Sequence, residues 1–225
     1  MEGRDGLYFM VLAYRMNGGW WSSDGGTRDE ILGGLRARLD GERSRLLLMR
    51  SYKSLRWDSD LIFWLASRDP EALGDFKLAV NSALRGLGEA SFSLLSIYEE
   101  SPYVEVGRDL EETLRLEPYR FFIAYPMRKS PEWYMMDFEE RRRIMAEHIG
   151  MARAHPESKA IRSYTTYCPG LSDYEFVVIY ETQSLASWSH VTGKLREARA
   201  RRWVTSETPI LVGVYSDLSF LGVGG

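Results

Sequence analysis

Two stretches of this chain, SDLIFWLASRDPEALGDFKLAVNSAL (59–84) and SDYEFVVIYETQSLASWSHVTGKLRE (172–197), follow one pattern. Each opens with Ser-Asp, continues as an apolar strand, turns, and ends in an amphipathic helix. They lie roughly 113 residues apart, the signature of a tandem duplication. A duplicated unit folds the same way twice, and this constrains the architecture more than any single motif.

The flanking segments extend the repeat. In the first half, strands are expected at 7–15, 44–53, 60–67 and 91–100. A helix over 27–42 is expected to use Thr27 as N-cap, with Glu30 completing a capping box. A second helix, 70–87, opens with Pro70 in its first turn, where a missing N–H costs nothing. In the second half, strands are expected at 120–127, 159–167, 174–182 and 209–218. One helix is capped by Asp137, with Glu140 at the capping-box position, and runs to about residue 153; another spans 185–203. Both halves read β-α-β-β-α-β. The predicted fold is α+β: two tandem ferredoxin-like modules, each an antiparallel sheet with helices on one face. Their uncovered apolar faces are expected to pack together. The polar run SPYVEVGRDLEETLRLE (101–117) marks the junction. The expected division is an N-terminal module over 1–103, a connector over 104–119 and a C-terminal module over 120–225.

Composition removes several functions. The net charge of −3 offers no basic field for nucleic acid. No apolar run is long enough to span a bilayer, and MEGRDGLYF does not read as a signal peptide. Cys168 is the sole cysteine, which excludes intrachain disulfides and cysteine metal clusters and makes a cytoplasmic protein the expectation. With only His148, His155 and His190, and no HExxH, a zinc hydrolase is not indicated.

Unusual chemistry gathers in AYPMRKSPEWYMMDFEERRRIMAEHIGMAR (124–153). On its helix, Phe138, Met145, His148 and Ala152 form one stripe, so His148 points inward. It is either a buried histidine satisfied by a carbonyl or an axial metal ligand. Glu147 diverges from it in direction, so a carboxylate supporting that ligand must come from elsewhere. Tyr125 shares a strand face with Phe121 and Ile123. A phenol at the end of an apolar face reads as a core tyrosine with a wet tip. Pro126 cannot donate to a sheet ladder and favours exit from the strand. Arg128 and Lys129 are either solvated or anchors for ligand carboxylates. In strand 159–167, Ile161, Ser163, Thr165 and Tyr167 alternate with Arg162, Tyr164 and Thr166; both sets carry hydroxyls and aromatics, so the inward face stays open.

The ordered run YPMRK…EWYMM…RRRIMAEH…TTYCPGLSDYEFVVIYET resembles the chlorite dismutase-like superfamily of haem proteins, and its coproheme decarboxylase branch most of all. The resemblance covers 120–217; the first half fits the superfamily's haem-free module by pattern. It implies an iron porphyrin, haem b or coproheme, as cofactor or substrate, with His148 as proximal iron ligand. Tyr125 would be the redox-active residue of a peroxide-dependent decarboxylation of coproheme propionates to vinyls. Lys129 would lie by the porphyrin carboxylates, Arg115 would contact a propionate, and Met127 would lie near the pocket. Counted back from the Gly170-Leu171-Ser172-Asp173 turn, the distal position falls on or beside Ser163, where chlorite dismutases carry arginine and decarboxylases glutamine. Arg162, one residue away, would point to the opposite face. Two alternatives remain open: a chlorite dismutase releasing chloride and dioxygen, and a non-catalytic haem-binding or structural assembly. By resemblance the chain is a homopentamer.

Overall fold

The computed structural model describes residues 6–103 and 110–222. The first half consists of β1 (Leu7–Met16), α1 (Gly18–Ser22), α2 (Gly25–Glu42), β2 (Leu48–Ser54), β3 (Leu61–Ser67), α3 (Pro70–Leu84) and β4 (Gly88–Tyr98). A short helix, α4 (Leu110–Leu114), leads into the second half. This contains β5 (Phe121–Lys129), α5 (Pro131–Met135), α6 (Phe138–Ala154), β6 (Ile161–Tyr167), β7 (Phe176–Thr182), α7 (Leu185–Leu195), β8 (Val204–Ser206) and β9 (Leu211–Tyr215).

All strand pairings between these elements are antiparallel, in the order β4-β1-β3-β2 for the first half and β6-β7-β5-β9 for the second. These are equivalent orders, as a duplication requires. The two sheets also join edge to edge, β2 on β9 and β4 on β6, closing eight strands into a ring. Closure removes the unpaired edges that two open sheets would expose. Phe9, Trp64, Phe122 and Tyr164 fill the interior from both halves. The expected packing of uncovered faces is therefore realised as the inside of a barrel. Gly213 sits at the β2–β9 seam, where a Cβ would come 2.7 Å from Tyr52 Cβ. Only glycine permits that approach.

One polar cluster lies within this interior. Glu181 of β7 is fully buried and accepts from Arg50 of β2 at 2.6 Å and from the Tyr164 hydroxyl at 3.0 Å. Arg50 also donates to the carbonyls of Leu114 and Leu116. The pair thus ties both halves and the segment between them. Removing one partner would strand a buried charge, at a cost of about 3–5 kcal/mol.

Several helix boundaries differ from expectation. The cap of α2 is Asp24, whose carboxylate accepts from the Thr27 N–H at 2.9 Å and hydroxyl at 2.8 Å, so Thr27 lies inside the helix. Helix α3 ends at Leu84 because Arg85 and Gly86 turn left-handed, at φ 50° and 80°. Asp137 caps α6 through the Glu139 and Glu140 N–H groups, as expected; the Glu140 carboxylate pairs with Arg143. Helix α7 stops at Leu195, and Arg199–Trp203 forms a separate 3₁₀ turn. Ala200 in that turn is buried with Trp133 and Ile144, and this contact overrides helix propensity. Strand β5 continues through Pro126 to Lys129. On one side β9 pairs up to Ala124 and β8 begins at Arg128, so Pro126 falls in the gap between them.

Candidate functional site

The outward faces of the second-half strands meet α6 and α7 around a cavity of about 880 Å³. Strand alternation places the side chains. Tyr125, Met127 and Lys129 come from β5, Ser163, Thr165 and Tyr167 from β6, and Phe176, Val178 and Tyr180 from β7. Met145, His148 and Ile149 of α6 and Trp188, Val191 and Leu195 of α7 form the opposite wall. The face of β6 left open by the sequence is thereby settled. Tyr164 and Thr166 bond into the barrel, to Glu181 and Ser96. Arg162 borders the cavity, but its guanidinium donates to the Glu117 carbonyl at 2.7 Å and lies 3.8 Å over the Tyr119 ring. Ser163 therefore holds the wall position.

His148, Met145 and Ala152 line the cavity from one helix stripe, whereas Phe138 is exposed and stacks on Tyr103. The His148 Nδ1 is buried and has no hydrogen-bond partner among the described residues. Burial holds its pKa below the ordinary imidazole value, with Lys129 and Arg201 adding to the effect. The ring is thus kept neutral, the form that ligates metals. Glu147 turns away to Arg199. A different carboxylate, Glu207, lines the cavity, paired with Arg201 at 2.5 Å and Arg196 at 2.9 Å. Burial pushes Glu207 up, but the two arginines outweigh it and hold the carboxyl below its usual range.

Tyr125 is largely enclosed, and burial pushes its phenol well above the ordinary value, with Tyr180 adding to the shift. Its ring stacks on Tyr180 with centroids 6.1 Å apart. Lys129 is buried beneath Trp133, with Nζ 3.3 Å from the ring centroid. Burial, then nearby Arg141, lowers its pKa to about 7, while the indole face favours the charged form. Arg128 points to the surface, over the Tyr174 ring and onto the Asp173 carbonyl. Arg115 does not line the cavity; its exposed side chain pairs with Glu111 at 3.7 Å. His155 accepts from the Glu157 N–H beyond α6, outside the cavity.

The structure thus brings together Tyr125, Met127, Lys129, His148 and Ser163, and leaves Arg115 apart. Tyr180, Trp133 and Glu207 were not singled out from sequence. Tyr180 was accessible by alternation with Phe176 and Val178 on β7. Trp133 was within the unusual stretch. Glu207 had no local signal, since it reaches the cavity only through the fold.

The lining fits an iron porphyrin. The volume lies within the usual range for ligand pockets of about 300–1,000 Å³. The walls are mainly apolar and aromatic, His148 presents a buried unpaired nitrogen, and Lys129, Arg153 and Arg196 add cations for carboxylates. Among the described residues no group of three or more His, Cys, Asp or Glu side chains could hold a metal ion, and porphyrin iron needs only one axial ligand from the protein. Among the described residues no helix is long and apolar enough to cross a membrane.

Comparison with known proteins agrees with this geometry. The chlorite dismutase family model matches residues 28–216. The coproheme decarboxylase of Mycolicibacterium smegmatis is 30% identical over 163 residues, covering 71% of this chain and 68% of that protein. The coproheme decarboxylase of Staphylococcus carnosus is 25% identical over 154 residues, 61% of each chain. A crystal structure carrying a provisional chlorite dismutase name superposes with a TM-score of 0.89 at 44% identity, over 96% of this chain and 97% of that one. A mutant chlorite dismutase from Candidatus Nitrospira defluvii, at 22% identity, shares the fold with a TM-score of 0.83, over 97% and 94% of the two chains. By its fold, and by a family match spanning most of its length, this chain belongs to the chlorite dismutase family.

Proposed function

We propose that the protein is a peroxide-dependent coproheme decarboxylase, with ferric coproporphyrin as its substrate. The observation that carries this reading is the convergence of Tyr125, Lys129 and His148 on one cavity whose distal position is Ser163 rather than arginine. The likeness to two coproheme decarboxylases supports it. Bound iron porphyrin supplies the redox centre at which peroxide is reduced. Each propionate that reacts releases carbon dioxide and two electrons, becomes a vinyl group, and reduces one peroxide to water.

The chain's own residues have separable tasks. His148 offers a neutral nitrogen to iron. Lys129, Arg153 and Arg196 pair with propionates in a partly dry cavity, where an unpaired carboxylate would be costly. Tyr125, once it has lost an electron and its phenolic proton, takes a hydrogen atom from the propionate carbon that is to become vinylic. Its raised pKa keeps the phenol protonated, so loss of its electron must be coupled to departure of its proton. The first half lends Tyr98 and Tyr103 to the cavity lining, while the expected assembly into a homopentamer and the expected cytoplasmic setting enter none of these steps.

Replacing Tyr125 with Phe should abolish propionate loss, followed by mass spectrometry of the porphyrin, while porphyrin binding persists. Unchanged turnover would sink the assignment. A second reading, chlorite decomposition to chloride and dioxygen, draws on the name of the 44%-identical structure. Ser163 weighs against it, since no cation occupies that wall position. An oxygen electrode with chlorite separates the two.

A further inference from the structure

Arg162 belongs by alternation to the barrel side of β6, with Tyr164 and Thr166, yet its side chain borders the cavity. Its place in the sheet explains this. It lies near the start of β6, whereas β4 joins β6 at Ile97–Tyr167, the far end of the strand. Among the described residues no strand pairs with the edge beside Arg162, so a long side chain can pass from the barrel to the cavity. The guanidinium is held in place. Its Cζ lies 3.8 Å from the Tyr119 ring centroid, and Nη1 donates to the Glu117 carbonyl at 2.7 Å and lies 3.5 Å from the Glu181 carboxylate. Nε and Nη2 have no hydrogen-bond partner among the described residues. Charge points the same way. Arg162 and Arg50 share one carboxylate, Glu181, and the three side chains are 19%, 7% and 0% exposed. Two cations thus face one anion in a nearly dry cluster, where an excess charge is costly. An anion on the cavity side of Arg162 would balance it.

Resting on the reading that the cavity takes an iron porphyrin with propionates, we propose that Arg162 is a carboxylate anchor of this site. It grips one propionate through Nε and Nη2, while Nη1 stays tied to the Glu117 carbonyl. Nε and Nη2 form one fork of the planar guanidinium, which matches the two oxygens of a carboxylate. Resemblance gives this task to Arg115, but that side chain is exposed and pairs with Glu111 away from the cavity. Arg162 is better prepared for it. Stacking on Tyr119 and the bond to Glu117 already fix its guanidinium, so less rotamer freedom is lost on binding. The anchor also reaches beyond the second half. Arg162 pairs with Glu181, and Glu181 holds Arg50 of β2, so two successive ion pairs link a bound propionate to the first half.

The test is porphyrin binding, followed by the Soret band of wild type, Arg162→Met and Arg162→Lys. Each protein is titrated with ferric coproporphyrin and, in the same detergent, with its tetramethyl ester, which keeps the iron and loses the carboxylates. Circular dichroism checks that each variant is folded. Arg162→Met should weaken coproporphyrin binding by about tenfold or more, the scale of hydrogen bonds to a charged group. Arg162→Lys keeps a cation beside Glu181 but not the fork, and its affinity should fall between the other two. Ester affinity should be the same in all three proteins. Unchanged coproporphyrin affinity in Arg162→Met would overturn the proposal. An equal loss for acid and ester would do so as well, since it marks a purely structural role. If Arg162→Met does not fold, Arg162→Lys is judged by the same two criteria. A wild type that binds neither porphyrin would overturn both the anchor and the decarboxylase reading. Binding that depends on Arg162, with no propionate lost on adding peroxide, would uphold the anchor and sink the decarboxylase reading. Propionate loss with wild-type affinity in Arg162→Met would do the reverse.

Discussion

The helix-facing sides of the two halves share a topology and differ in what fills them. Under α2 and α3, the first half packs Leu12, Trp20, Leu35, Phe63, Leu65 and Phe76 into a closed core. Under α6 and α7, the second half presents Tyr125, Met127, Lys129, Ser163 and Tyr180 to a cavity of about 880 Å³. One fold therefore serves once as support and once as a container. The difference lies in side-chain identity. Large aliphatic and aromatic groups close the first interface, whereas serine and threonine on β6 and the outward tyrosines leave the second open.

That contrast can be broken most directly by truncation. Phe76 is fully buried in the first half, and its replacement by Ala should cost about 3–5 kcal/mol in urea-melt stability. Met145 already faces the cavity, so Met145→Ala should cost clearly less. Equal losses would mean that the second half is packed as tightly as the first. A smaller effect is expected from pH. The buried Lys129 ammonium releases its proton at about 7, whereas an unfolded lysine keeps it to 10.5. Between those values the unfolded chain holds more protons, so ligand-free stability should rise as pH rises from 7 to 9, by about 2 kcal/mol at most. Lys129→Met should flatten the slope. An unchanged slope in that variant would place the titration elsewhere. The smallest effect is expected at Arg115, exposed and outside the cavity: Arg115→Ala should leave porphyrin affinity within about a factor of two, as for other surface changes. A larger loss in a binding titration would bring that residue back to the ligand.

The repeat and the strand and helix periods made much of this legible in sequence. Alternation aligned Tyr125 with the cavity face, and helical spacing turned His148 inward. What stayed hidden depended on distant partners. The facing of β6 is settled by Glu181, which needs Tyr164 inside the barrel and which meets Arg50, 131 residues away in the chain. Barrel closure depends on edge pairing between β2 and β9, which no local pattern encodes. Glu207 is brought to the cavity by the segment after α7, where buried Ala200 breaks a run of helix-favouring residues. Phe138 lies at the first residue of α6, where the stripe has already run out to solvent.

The central claim is that the second half holds an iron porphyrin through His148. Ferric coproporphyrin and haem should each be titrated into the purified protein, with the Soret band followed for wild type and His148→Ala. One equivalent of ferric coproporphyrin should shift the band in wild type, and the shift should be lost or altered in His148→Ala. No shift with either porphyrin, or the same spectrum in both proteins, would contradict the claim.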